Sequence, residues 1–398
     1  MTHRQAMAAR SMHIIGNPGN RRVAHFQSAL AALGWPPARV VSYHDLLTGT
    51  RHLADELSPG ALVRIESPGE DFEVERLLLR AGFEAAQAEG SPATGPAALD
   101  RLTFDPGRIL YPRQWYLGYR AALARVAGQL SQAAPHWLFS APMGIEVLFD
   151  KPHCQKSLAQ AGVPVPPFWP VPKCYADVRE QLRLIGCRRA FVKLAHGSSA
   201  SGVVALYVDR RGARAATSAE LVREQGETRL YNSLNIRAYT HERDVAELID
   251  ELCLHRVQFE EWLPKAALGQ VAFDLRVLVI AGRARHAVVR TSRTPMTNLH
   301  LGNERGNLAM LTSRMGPERR QAALDVCERA AAAFAGCWQV GIDLLLQPGF
   351  RRPTVIEANA FGDLLPGVYD RGEDTYMAEL TALDGQLPVA APSPQVAV

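Results

Sequence analysis

Residues 340–366 read VGIDLLLQPGFRRPTVIEANAFGDLLP. Two β-rich runs, VGIDLLL and TVIEA, flank the Gly- and Pro-containing residues 347–353, the pattern of a β-hairpin. The connection is centred on Phe350, so symmetric pairing sets Asp343 across from Glu357. Directly opposed residues lie about 4.5–5.5 Å apart at Cβ, and like charges there are destabilising. Asn359, two residues beyond Glu357, points to the same face. A surface hairpin with solvated acids would explain the segment by itself. Two carboxylates and an amide oxygen on one face are better explained by a cation, and hard oxygen donors suit Mg²⁺.

At roughly 150 residues per domain, a chain of 398 residues is expected to form two or three domains. With 47% apolar and 21% charged residues it has ample material for a conventional core. The balance of 44 basic and 40 acidic residues is too even to argue for a nucleic-acid partner. Six cysteines are widely spaced with no CxxC pair, so neither a zinc site nor a disulfide framework is expected. The N-terminal residues lack a sustained apolar segment, and no run approaches the ~20 apolar residues of a membrane span. These features lead to the expectation of a cytoplasmic chain without a membrane partner.

The chain opens with a strand, MHIIG, a turn, NPGN, and a helical pattern in which Val23, Phe26, Leu30 and Leu33 share one face. A second strand, ARVVSY, makes the opening β-α-β and predicts a small parallel sheet. Loops after such strands often carry ligand groups. Asn17, Gly19, Asn20 and Arg21 are candidates on that ground, as are Arg64, Glu66, Ser67, Pro68 and Gly69. Taken singly, each is also explained by turn chemistry. Residues 89–112 are rich in Gly, Pro and Ala and read as loop.

A helix starting near Asp150 places Lys151 in its first turn, where a cation opposes the helix dipole unless an anion lies nearby. The strands AFVKL and VVALYV are joined by HGSSASG, a loop with two glycines and three serines including Ser198. A strand lysine, Lys193, leading into such a loop suits a phosphate clamp. No GxGxxG or Walker A motif occurs, which disfavours Rossmann and P-loop folds. Residues 210–255 read as a charged stretch with one helix. VQFEEWL reads as a strand ending at Glu260, Glu261 and Leu263, where the chain passes between two lobes. In AFDLRVLVIAGRARHAVVRTSR, Asp274 and Arg276 share a strand face, and a three-residue loop at 281–283 sets Arg290 opposite Asp274. A polar loop with Asn298 and His300 follows, and the tail after Asp384 is expected to be disordered.

In this order, the motifs resemble the ATP-grasp superfamily over residues 141–380, and DLRVLVI, Arg290 and TNLHLG resemble its ribosomal-protein glutamate ligase and carboxylate-amine ligase branch. The first 140 residues resemble those of an uncharacterised bacterial ATP-grasp group. The resemblance implies an α/β fold with α+β lobes: an N-terminal parallel α/β domain (1–140), a central lobe (141–262), a C-terminal lobe (263–384) and the tail (385–398). It also implies that Lys151, Lys193 and Ser198 bind ATP phosphates, that Glu260, Glu261 and Leu263 hold adenine, and that Asp343, Glu357 and Asn359 bind Mg²⁺ or Mn²⁺. Arg276 and Arg290 would face phosphate or an acyl intermediate, with Asn298 near the nucleotide. Glu261 departs from the usual hinge residue, and TSRTPMTNLHLG is longer and less basic than the family's run before the Asn. The implied activity is ATP-dependent ligation of a small-molecule or peptide carboxylate to an amine through an acyl phosphate, and the sequence permits a homodimer. A small-molecule kinase and a non-catalytic nucleotide-binding scaffold are the alternatives.

Overall fold

In the computed structural model, which describes residues 10–197, 200–224, 226–362 and 365–383, the strands form three sheets. The opening β-α-β run begins a four-stranded parallel sheet in the order Arg39–Val41, Met12–Ile15, Ala61–Ile65, His136–Leu138. Its two central strands are buried along their whole length, because helices cover both faces. Met12, Ile14 and Leu62 pack on Phe26 and Leu30 of helix Arg21–Ala32, while Ile15, Val63 and Ile65 pack toward Tyr119 and Leu123 of helix Pro112–Gln132. The polar residues after these strands serve the fold. Asn20 caps the first helix through the Arg22 amide at 2.8 Å, and Asn17 Nδ2 donates to the Pro68 carbonyl at 2.8 Å. Arg64 and Glu66 are completely buried and paired at 2.7 Å.

The second sheet is antiparallel, in the order Glu227–Tyr239, Gly212–Glu224, Val203–Asp209, Arg189–Leu194, Val257–Glu261. Helices Tyr175–Ile185 and Glu242–Cys253 cover one face through Val178, Leu182, Val245, Leu248 and Leu252. Sequence reading expects a charged stretch with a helix over 210–255, and the structure adds two strands of 13 residues there. Their apolar face is mostly alanine, Ala213, Ala215 and Ala219, which carries little β signal. Their charged residues pair across the hairpin, as Arg237 does with Glu220 at 2.7 Å.

The third sheet runs Glu304–Gly306, Arg283–Ser292, Val271–Ile280, Gln339–Gln347, Arg351–Asn359, with Ala267–Leu268 joined to Val271–Ile280. In its C-terminal hairpin the turn is tighter than the sequence suggests, since Gln347 already pairs with Arg351. Two irregularities on the returning strand then shift the register until Asp343 faces Glu357 and Gly341 faces Asn359. The neighbouring hairpin behaves alike. Its turn is the two residues Ala281 and Gly282, both with positive φ, as a tight hairpin turn requires. A bulge beside Leu278 and Val279 then brings Asp274 opposite Arg290.

Helices Pro142–Phe149 and Lys151–Gln160 share a core with the third sheet, through Ile145, Leu148, Cys154 and Leu158 against Val340, Ile342 and Ala358. Among the described residues no helix is long and apolar enough to cross a membrane. The tail lies outside the described residues.

Candidate active site

The second and third sheets face each other across a cleft. On Arg189–Leu194, buried and partly exposed residues alternate, which turns Phe191 and Lys193 into the cleft, with Glu260 and Gln258 as their respective cross-strand partners. Lys193 forms an ion pair with Glu260, whose carboxylate is also held by Gln155 Nε2 at 2.9 Å and by Gln258. Burial alone would lower the Lys193 pKa. Glu260, with Glu357 and Asp343 behind it, outweighs burial and raises it, so the lysine stays charged.

Asp150 caps the helix that begins at Lys151, accepting from the His153 amide at 3.0 Å. The Lys151 ammonium, unfavourably placed for the helix dipole, is held by the Gly197 carbonyl at 2.6 Å and Glu357 Oε1 at 3.0 Å. Burial would raise the Glu357 pKa, yet Lys151 and Lys193 hold it below the usual carboxylate range. Asp343 receives Arg276 on both oxygens, the Nη2 to Oδ2 contact being 3.2 Å, and Arg290 Nη2 on Oδ2 at 3.1 Å. Arg290 Nε continues to Asp274 Oδ1 at 2.8 Å.

Asp274 ends this chain of alternating charges at Lys265, 3.1 Å from its Oδ2, and Lys265 also reaches Thr297 Oγ1 at 2.8 Å. Burial opposes ionisation of Asp274, but Arg290 and Lys265 hold it far below its ordinary pKa. Lys265 itself is lowered by burial, with Arg290 and Lys193 adding to the effect. Lys265 and Thr297 are not among the candidates read from the sequence, where a lysine after a proline carries no spacing signal. Around the cleft five cationic side chains, Lys151, Lys193, Lys265, Arg276 and Arg290, thus meet five carboxylates, since Glu261 also lines it.

At the strand end, the Glu261 amide donates to the Pro167 carbonyl at 2.8 Å, and Trp169 donates to Phe259 at 3.0 Å. In an antiparallel pair of this kind the bond to Glu261 would be returned, but Pro167 has no N–H to give. Leu263 lines the cleft there with Pro166, Phe191, Met296 and Leu345, forming an apolar slot. Asn298 lines the same cleft, and its carbonyl accepts from Asn303 at 2.9 Å. His300 is exposed. Ser198 lies outside the described residues, although Gly197, Ala200 and Ser201 beside it line the cleft.

The donor set fits a hard divalent cation that is completed by a ligand. Asp343 and Glu357 are direct cross-strand partners, and Asn359 is two residues from Glu357. Among the described residues no group of three or more His, Cys, Asp or Glu could hold a metal ion. Mg²⁺ characteristically takes one or two carboxylates and fills the rest of its shell with water and substrate phosphates.

No protein-family model matches this sequence, and no curated protein matches it. Several solved structures do. The ATP-grasp ligase PsnB complexed with minimal precursor is 17% identical over 95% of this chain and 100% of its own, with a TM-score of 0.52. The D-cycloserine synthetase DcsG is 15% identical over 94% of this chain and 99% of its own, with a TM-score of 0.53. A RiPP-associated ATP-grasp ligase from Chryseobacterium gregarium, in complex with ADP and a leader and core peptide, is 12% identical over 95% and 98%, with a TM-score of 0.51. Likeness at such low identity speaks to fold, not to substrate. The chain has the ATP-grasp fold.

Proposed function

We propose that this chain is an ATP- and Mg²⁺-dependent ligase that joins a carboxylate to an amine through an acyl phosphate. The observation that carries the reading is the convergence on one cleft of Lys151 and Lys193 with the cross-strand pair Asp343 and Glu357. The two lysines bind the phosphates of ATP, and the slot at Leu263 takes the adenine, with the Glu261 carbonyl accepting from its amino group. Asn298, which lines the same cleft, lies near the nucleotide, and Ser198 is assigned to the phosphates by the family resemblance alone. Mg²⁺ held by Asp343, Glu357 and Asn359 would offset phosphate charge and favour γ-phosphoryl transfer.

A substrate carboxylate oxygen attacks the γ-phosphorus and ADP leaves. The amine nitrogen then attacks the acyl carbon, the C–N bond forms, and phosphate departs with the amine proton passing to solvent. Arg276 and Arg290 stabilise the acyl phosphate and its tetrahedral adduct, so catalysis is mainly positioning and electrostatics. The neighbouring structures support this class: one is a D-cycloserine synthetase, one a ligase complexed with a minimal precursor, and one a ligase in complex with a leader and core peptide. Both peptides and small carboxylates therefore belong among the substrates to be tried. All six cysteines are free thiols, which suits the reducing cytoplasm.

The test is a phosphate-release screen over amino acids, peptides and small carboxylates, each with and without an amine. The expected result is ADP and phosphate in equal amounts, formed only when acid and amine are both present. ADP without free phosphate would make the chain a kinase and overturn the ligase reading. No turnover with any pair, despite tight Mg-ATP binding, would favour a binding scaffold.

A further inference from the structure

One arginine of the N-terminal domain touches both supports of Lys151. Arg113, in the first turn of helix Pro112–Gln132, is nearly buried and gripped by Glu89 through two bonds, Nε to Oε1 at 2.5 Å and Nη2 to Oε2 at 2.7 Å. Its remaining nitrogen, Nη1, lies 3.0 Å from His196 Nε2 and 3.9 Å from Asp150 Oδ2. A guanidinium only donates, so His196 Nε2 accepts and its proton sits on Nδ1, facing the Phe149 carbonyl at 3.3 Å. The imidazole is further fixed by stacking on Tyr116 of the same helix, with ring centroids 3.9 Å apart and planes within 7°. Burial, with Arg113 alongside, pushes its pKa well below the ordinary value, so the acceptor nitrogen stays unprotonated.

The two groups that Arg113 addresses are chain neighbours of Lys151 and of its carbonyl partner Gly197, while Glu357 pairs with the ammonium from the other side. Asp150 caps the helix on which Lys151 is the first residue. His196 directly precedes Gly197, whose carbonyl receives the Lys151 ammonium, and the Lys151 amide donates to Ala195 at 3.1 Å. Both segments that bear on Lys151 are therefore tied to Arg113, which is anchored outside the lobes forming the cleft, with Arg256 Nη1 sharing Asp150 Oδ2 at 3.7 Å.

We propose that Arg113 is a positioning residue for Lys151, acting through His196 and Asp150, so that the N-terminal domain is part of the phosphate-binding machinery. The inference rests on the reading of Lys151 as a phosphate ligand. Without the Nη1 contacts, Lys151 and the base of the glycine-serine loop lose their common reference, and the phosphates lose affinity while the adenine slot keeps its own.

The experiment is calorimetric titration of the full chain with Mg-ATP and, separately, with adenosine. Arg113→Met is expected to weaken Mg-ATP by about tenfold, the scale of a lost charge-assisted hydrogen bond, and to leave adenosine unchanged. Arg113→Lys, which keeps the charge and carries the measurement if the Met variant does not fold, should fall between the two. His196→Gln retains an acceptor and should bind Mg-ATP better than His196→Phe, which retains only the stack. In a Lys151→Met background, Arg113→Met should cost nothing further. Unchanged Mg-ATP affinity in the Arg113 variants, an equal loss for adenosine, or full additivity with Lys151→Met would overturn the positioning role. A wild-type chain that binds neither ligand would instead overturn the nucleotide reading on which it rests.

Discussion

Asp343 and Glu357 sit side by side on adjacent strands but are held by different neighbours. Asp343 is 2% exposed and carries two guanidinium groups. The Glu357 side chain is 28% exposed and has Lys151 as its ion-pair partner. Removing one member of a buried charge network typically costs about 3–5 kcal/mol, whereas a partly solvated pair is worth about 1 kcal/mol or less. Asp343→Asn should therefore lower the melting temperature sharply as well as stop turnover. Glu357→Gln should melt close to wild type and still lose roughly a hundredfold or more in rate, because the charge it removes acts on developing phosphate charge in the cleft. Melting curves and phosphate release on the same preparations separate the two effects. Wild-type turnover in Glu357→Gln with a proven substrate would remove that residue from the metal site.

At the scale of elements, two glycines set how closely helices Phe72–Ala81 and Pro112–Gln132 approach. A Cβ on Gly118 would lie 1.8 Å from the Leu78 carbonyl oxygen, and one on Gly82 would lie 2.0 Å from that of Gln114. These obstacles are backbone, so Gly118→Ala must push the helices apart, at a cost of about 1–3 kcal/mol or more. Gly128, exposed on the same long helix, meets nothing within 4 Å, and its change to Ala should stabilise by up to about 1 kcal/mol. Chemical denaturation of both variants checks the opposite signs.

The same helices show what the sequence could and could not convey. Their closeness is not legible there, because a glycine in a helical pattern does not announce what it faces. The hairpins teach a related lesson. Asp343 does face Glu357 and Asp274 does face Arg290, yet in each case the turn is shorter than expected and a bulge restores the pairing. Loop counting identified the right partners, although the chain reaches them through a tighter turn and a compensating bulge. Lys265, Arg113 and His196 stayed hidden because each acts through contacts far apart in the chain, and local spacing carries no trace of those.

Across the whole molecule, buried ionisable groups pull the pH dependence of stability in two directions. His255 is pushed by burial down to about 4, so between pH 6.5 and 4 the unfolded chain binds a proton that the folded one refuses. His196 and His13 are lowered as well, each chiefly by burial, and neither ring nitrogen of His13 has a hydrogen-bond partner. Stability from these three is complete above about pH 6.5 and falls as the medium becomes more acidic.

Glu379 works in the opposite sense. It shares the guanidinium of buried Arg64 with Glu66, and burial pushes it up to about 7 although Arg64 opposes this. Two carboxylates facing one cation favour keeping a proton on one of them. Between pH 4.5 and 7 the folded chain is then the better proton binder, and its stability from Glu379 declines as pH rises. His255 and Glu379 are each worth about 3 kcal/mol over their windows and roughly cancel, since one pKa unit is about 1.4 kcal/mol. His196 and His13 remain, so the melting temperature should climb from pH 4 to 6.5. Glu379→Gln keeps a neutral hydrogen-bonding group beside Arg64 and removes the opposing proton, so the climb should become steeper. An unchanged or flatter profile in that variant would mean that Glu379 is ionised throughout, with Arg64 dividing its charge evenly between two carboxylates.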